Sequence, residues 1–238
     1  MIAPRRIGPF EVPAIGLGCM NLSHGYDRAP APADAERLLL AAYDLGVRMF
    51  DTAALYGFGA NEELVGRVLA PVRDDIVLAS KCGMTGVDGR RVIDGRPDTI
   101  RRTAEEALRR LGTDAIDLYY LHRVDRAVPV EESVGALADL VESGLVRAIG
   151  LSEASADTLR RAHAVHPVAA LQNEYSLWSR NPEQGTLEAT RELGVALVAF
   201  SPLARGVLTS APPDLEVLPD HDIRRAMPRF GADHYPAN

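Results

Sequence analysis

A chain of 238 residues, 47% hydrophobic and 25% charged, has the make-up of an ordinary globular protein and enough length to bury a good core. Its net charge of −7 argues against nucleic acid and anionic membrane as partners, since both select basic surfaces. Two cysteines (Cys19, Cys82) make no disulfide framework. The N-terminus lacks a signal's apolar core, and no apolar run nears the roughly 20 residues that cross a bilayer, so a reducing cytoplasm is expected.

Along the chain, short apolar β-type runs alternate with helical patterns. Ile7–Val12 reads as a small hairpin, followed by a first strand at Ala14–Gly18. Further strands are expected at Val47–Phe50, Ile76–Ser80, Ile116–Leu121, Val146–Gly150, Val168–Leu171 and Val195–Phe200. Most are near-continuous in apolar residues, as strands covered on both faces should be. Between them lie helices at Asp34–Leu45, from Asn61 onward (with Asn61 as N-cap), and at Arg96–Leu111, Pro129–Ser143, Ser155–Val165 and Pro182–Leu193. Glycine follows most of them, the usual helix stop, and the short joints indicate parallel βαβ units in a single domain over residues 1–238.

A doubly wound open sheet and an eight-fold barrel both accommodate this alternation. Gly16-Leu17-Gly18 supplies only part of a dinucleotide fingerprint, and a tight turn explains it equally well. Placement of polar residues favours the barrel. Asp51, Lys81, His122, Ser152 and Gln172 each sit at or just past a strand's C-terminal end, where a barrel carries its active site.

Asp51, Tyr56, Lys81 and His122 together offer the parts of a carbonyl reduction. The reaction needs an acid for the developing alkoxide, and a tyrosine serves if a nearby ammonium stabilises its phenolate. A carboxylate can hold that ammonium, and an imidazole can orient the carbonyl oxygen. The hydride must come from a cofactor. Singly, each residue has a structural explanation: a rim ion pair for Asp51 and Lys81, loop packing for Tyr56, a strand-end contact for His122. Only their joint placement argues for chemistry.

The runs Gly46–Ala53, Tyr56-Gly57 and Asn61–Gly66 resemble the signature of the aldo-keto reductase family. So do Ser80-Lys81, Asp117–His122, Val146–Ser152, Gln172–Leu177 and Phe200–Gly206 further on, in family order. The resemblance implies a (β/α)8 TIM barrel that reduces aldehydes or ketones with NADPH, or NADH, and no metal. It implies Tyr56 as proton donor, Lys81 as its pKa-lowering neighbour, Asp51 as the partner of Lys81 on the cofactor side, and His122 as the group orienting the carbonyl. Ser152 and Gln172 would hold the nicotinamide carboxamide, and Phe200 would stack on the ring. Ser201, Pro202, Leu203, Ala204 and Arg205 would line the pyrophosphate, with Gly18, Cys19 and Met20 beside the nicotinamide.

Two departures stand out. Glu153 occupies a position where many members carry Asn; a branch of the family shares this Ser-Glu-Ala-Ser wording, so it reads as variation rather than loss, and one carboxamide contact is left open. Only seven barrel strands are expected before Asn238, whereas family chains continue through an eighth strand and further helices. The expected fold is therefore a barrel of about seven strands with an N-terminal hairpin and two unpaired edges. The favoured explanation is a longer polypeptide; a completing partner chain ranks next and a stable seven-stranded form last. A second functional reading, from a different class, is a non-catalytic or slow redox-sensing subunit of the same fold. The small carbonyl substrate itself is not legible, because the loops Asn21–Pro32 and Met84–Gly95 that would shape specificity follow no readable pattern. Phe58, Trp178 and Met84 are candidates for an apolar wall, and His24, Tyr26 and Arg123 for tuning polarity at the mouth.

Overall fold

A computed structural model describes residues 3–23, 25–26, 28–87 and 90–237. Seven parallel strands form its main sheet: β3 (Leu17–Gly18), β4 (Met49–Asp51), β5 (Val77–Cys82), β8 (Ile116–Leu121), β9 (Val146–Ser152), β10 (Val168–Glu174) and β11 (Ala196–Phe200). They lie side by side in that order and curl into a nearly closed barrel, the TIM-barrel architecture expected from the alternation. Helices α1 (Pro32–Asp44), α2 (Ala60–Leu69), α3 (Pro97–Leu111), α4 (Val130–Glu142), α5 (Ala156–Val165) and α6 (Thr186–Leu193) surround it. Among the described residues, β3 and β11 are the two ends of the sheet and do not pair with each other.

Side chains alternate along each strand, and this sorts the core into two shells. Met49, Val77, Ala79, Leu118, Tyr120, Ala148 and Ala170 point into the barrel; Phe50, Leu78, Tyr119, Leu121, Ile149, Leu151 and Leu171 point out against the helices. Small residues make room inside for Tyr120: a Cβ on Gly150 would come within 2.4 Å of its ring. The hairpin of β1 (Arg5–Ile7) and β2 (Phe10–Val12) packs Ile7 and Val12 onto Met49, Val77 and Ala169 at the N-terminal ends of the strands. That end is plugged, and the opposite end is left for a site.

Several boundaries differ from the sequence reading. Of Ala14–Gly18, only Leu17–Gly18 joins the sheet. Most of the Met84–Gly95 segment is a second hairpin, β6 (Met84–Val87) with β7 (Arg90–Ile93), whose outward-facing polar residues mask its β pattern. Asn61 is inside α2, not its cap; Gly59, at φ 100°, turns the chain into that helix. The helix expected from Pro182 starts at Thr186, because Gly185 at φ 102° breaks it from a preceding 3-10 turn. Arg96 and Ser155 lie just outside α3 and α5, and the Ser155 hydroxyl accepts from the Thr158 N–H as a true N-cap.

Candidate active site

Two residues beyond the interior side chains of each strand, the same alternation presents Asp51, Lys81, His122, Ser152 and Gln172 inward at the mouth. Register keeps them level: Asp51 lies opposite Ala79, Lys81 opposite Tyr120, Tyr120 opposite Gly150, and Ser152 opposite Gln172. Tyr56 reaches the same layer from the turn after β4. Non-glycine residues with left-handed backbone crowd this rim (Phe58, Glu153, Ser201, Ala204, Arg205), a conformation that costs free energy and concentrates at functional sites.

Lys81 is the hub. Its side chain is 1% exposed, and its Nζ donates to the Asp51 Oδ1, to the Thr52 carbonyl oxygen at 2.9 Å and to the Tyr56 hydroxyl at 3.2 Å. Burial alone would lower the Lys81 pKa, but the Asp51 carboxylate and the Tyr56 hydroxyl outweigh it and hold the ammonium. The His122 ring meets the Tyr56 ring edge-on, with centroids 5.9 Å apart. All four residues expected to act in chemistry therefore converge.

Lys81 pulls the Tyr56 pKa down, as expected of it, but burial is the larger effect and, with Asp51 adding to it, leaves the phenol above the ordinary tyrosine value. The phenol accordingly holds its proton in the resting protein.

The residues expected around the cofactor are more mixed. Gly18 pairs with Asp51, and the Cys19 N–H donates to the Asp51 carbonyl oxygen at 2.8 Å. Burial, with the Asp51 charge, pushes the Cys19 thiol up to about 12, so it is an inert wall. Met20 packs with Met84 on Ala53, Leu55 and Tyr56. The Gln172 amide donates to Asp51 Oδ2 at 2.9 Å, and Ser152 Oγ accepts from Arg123 at 3.1 Å. Phe200 ends β11, followed by exposed Pro202 and Leu203 and by buried Ala204. Arg205 reaches Glu174 at 3.1 Å and Tyr26 at 3.1 Å, and its buried Nε has no acceptor among the described residues.

Of the proposed apolar wall, Met84 lies by Tyr56 and Phe58 leans on Gly86 of the β6–β7 hairpin, where a Cβ would fall 2.0 Å from its ring. Trp178 instead stands edge-on to Phe230 with centroids 5.5 Å apart, because the chain after β10 carries it toward the C-terminal segment. His24 lies outside the described residues.

Sequence reasoning missed the support beneath the hub. Asn61 Nδ2 donates to the Cys19 carbonyl and to Ser23 Oγ, both at 2.8 Å, and its Oδ1 accepts from Thr52 Oγ1 at 2.6 Å. Glu62, fully buried, accepts from Ser80 Oγ at 2.5 Å and pairs with Arg110 at 2.7 Å. First-turn polar residues on a helix ordinarily read as solvated caps, so only the tertiary fold discloses that these face the barrel.

The aldo-keto reductase family model matches residues 14–226. The chain belongs to this family, whose members reduce carbonyl compounds with NAD(P)H. It is 43% identical over 242 residues to "Probable aldo-keto reductase 1" of Glycine max, covering 100% of this chain and 69% of that protein. Among solved structures it resembles a glycerol dehydrogenase of Gluconobacter oxydans, with TM-score 0.87 and 31% identity over 98% of this chain and 73% of that one. An aldo/keto reductase from Klebsiella pneumoniae, solved with NADP and acetate, matches with TM-score 0.71 and 31% identity over 86% of this chain and 69% of that one. Among the described residues of this family member, no helix is long and apolar enough to cross a membrane.

Proposed function

We propose that this chain reduces an aldehyde or ketone to an alcohol with NADPH, or NADH, and that Tyr56 supplies the proton. The observation that carries the reading is the Lys81 ammonium shared between Asp51 and the Tyr56 hydroxyl, the latter at 3.2 Å, with the His122 ring edge-on to the phenol. The nicotinamide supplies the hydride when bound. Ser152, Gln172 and Phe200 suit its carboxamide and ring; the Arg205 Nε, without an acceptor among the described residues, and the left-handed turn from Ser201 to Arg205 suit its phosphates.

As the carbonyl carbon gains hydride, charge builds on its oxygen. Tyr56 then gives up its proton to that oxygen, and the adjacent ammonium stabilises the phenolate left behind. His122, at the neighbouring strand end, orients the carbonyl by hydrogen bonding. Asp51 keeps Lys81 charged, and Gln172 holds the second Asp51 oxygen. A reducing cytoplasm suits the two free, buried thiols.

Tyr56→Phe is expected to lower aldehyde-dependent NADPH oxidation by about 10²–10⁴-fold while leaving nucleotide binding, read by fluorescence titration, intact. Wild-type turnover in that variant would end the mechanism. Tight nucleotide binding with no multiple turnover in the unmutated protein would point instead to a sensory subunit.

A further inference from the structure

We infer that Arg123 is a receptor for a carboxylate on the substrate, so that the carbonyl compounds favoured at this mouth are oxo acids. This rests on reading the site as that of a carbonyl reductase. Arg123 directly follows His122 at the end of β8. Its Nη1 donates to the His122 carbonyl oxygen at 2.6 Å and to Ser152 Oγ at 3.1 Å, which pins the guanidinium between the ends of β8 and β9. An arginine has five N–H donors. Those on Nε and Nη2, the edge that grips a carboxylate through two parallel hydrogen bonds, have no protein acceptor among the described residues.

Five other half-buried arginines are neutralised by carboxylates, whereas Arg48 donates to the Tyr43 and Val47 carbonyl oxygens and stacks on Tyr43 away from the mouth. Arg73 pairs with Asp117, Arg110 with Glu62, Arg224 with Asp222, and Arg205 and Arg229 both with Glu174. Arg123 has no described carboxylate within ion-pair distance. The Glu153 side chain, the chief carboxylate whose charge bears on it, is tied elsewhere: its Oε1 accepts the Glu174 N–H at 2.7 Å. Burial disfavours the Arg123 charge, and the like charges of Arg91 and Arg205 add to that cost.

A half-buried cation without a counter-charge is costly to the resting protein, and an arriving carboxylate recovers part of that cost. The same positive group directly follows His122 at the mouth, and its charge favours the Tyr56 phenolate. The cofactor phosphates have their own candidate in the turn that follows Phe200. A chain with a net charge of −7 that gathers cations at its mouth focuses anionic ligands there against its overall field.

The test pairs 4-oxobutanoate with its methyl ester as substrates, and titrates succinate against succinamide as ligands that cannot react. In the wild-type protein the acid is expected to be favoured over the ester in kcat/KM. Arg123→Gln is expected to cut that preference by about 10–100-fold, and to weaken succinate binding by a similar factor without changing that of succinamide. Arg123→Lys, which keeps the charge but not the fork, should fall between the two and guards against a folding defect in the first variant. An acid-to-ester ratio equal in wild type and Arg123→Gln overturns the assignment, as does succinate binding that the substitution leaves unmoved. Should neither aldehyde be reduced, the reductase reading fails, and the succinate titration still decides the role of Arg123.

Discussion

Glu62 illustrates how a single residue two layers from the reacting atoms sets the cost of the whole site. Its side chain points from α2 onto the outer face of β5, where it holds Ser80 while the next residue, Lys81, faces inward. Burial raises the Glu62 pKa, and Arg110 and Ser80 hold it down in opposition. Removing one partner of such a pair strands the other charge in a poorly solvated place, a loss of about 3–5 kcal/mol. Glu62→Ala is therefore expected to lower the urea midpoint of unfolding by that equivalent. Glu62→Gln, which keeps the hydrogen-bonding shape, should lose less. If Glu62→Ala unfolds with the wild-type midpoint, the network contributes nothing and the barrel alone holds Lys81 in register.

At the scale of elements, the seating of α2 against α3 depends on a missing side chain. A Cβ on Gly66 would lie 2.3 Å from the Leu111 carbonyl oxygen and 2.6 Å from that residue's backbone carbons. Backbone at a helix terminus cannot move aside as a flexible side chain would. In an isolated helix, Ala is better than Gly by about 1 kcal/mol, but overpacking of this kind costs about 1–3 kcal/mol and more when backbone is struck. Gly66→Ala is expected to depress the thermal midpoint by several degrees, measurable by circular dichroism, whereas a rise would mean that the helices separate freely. Since α2 carries Asn61 and Glu62, the same displacement should raise KM for nucleotide before it abolishes folding.

Across the whole molecule, Glu174 fastens segments far apart in the chain. Arg229 donates to its two oxygens at 2.8 and 3.0 Å, Arg205 reaches it from the turn after β11, and Ser179 joins from the loop after β10. The Ile223 N–H also donates to the Gly25 carbonyl oxygen at 3.0 Å, tying the C-terminal segment to the loop after β3. Burial would raise the Glu174 pKa, but Arg229 and Arg205 outweigh it and the net shift is downward from 4.5. A group whose pKa is depressed on folding contributes its full stability above its unfolded value and loses it as pH falls through the folded one. The difference in thermal midpoint between wild type and Glu174→Gln should accordingly be present at pH 6 and shrink as pH is lowered below about 4.5. A difference that is constant from pH 6 to pH 3 would show that charge is not what holds the clasp.

Much of this protein is legible in its sequence for a definite reason. Strand and helix periods are local, so Ile116–Leu121 could be bounded to the residue. Parallel strands all end on the same face, so a polar residue closing one strand after another marks a mouth without any coordinates. Asp51, Tyr56, Lys81 and His122 were legible on that basis together with the family wording. What depends on neighbours distant in the chain was not: whether Asn61 and Glu62 cap a helix or brace a barrel, where Trp178 turns, and which arginine finds a carboxylate. Even the direction of the Tyr56 shift belongs to that class. Chain order supplies the lysine beside the phenol, but only packing sets how much water is removed from it, and here the desolvation is the larger effect.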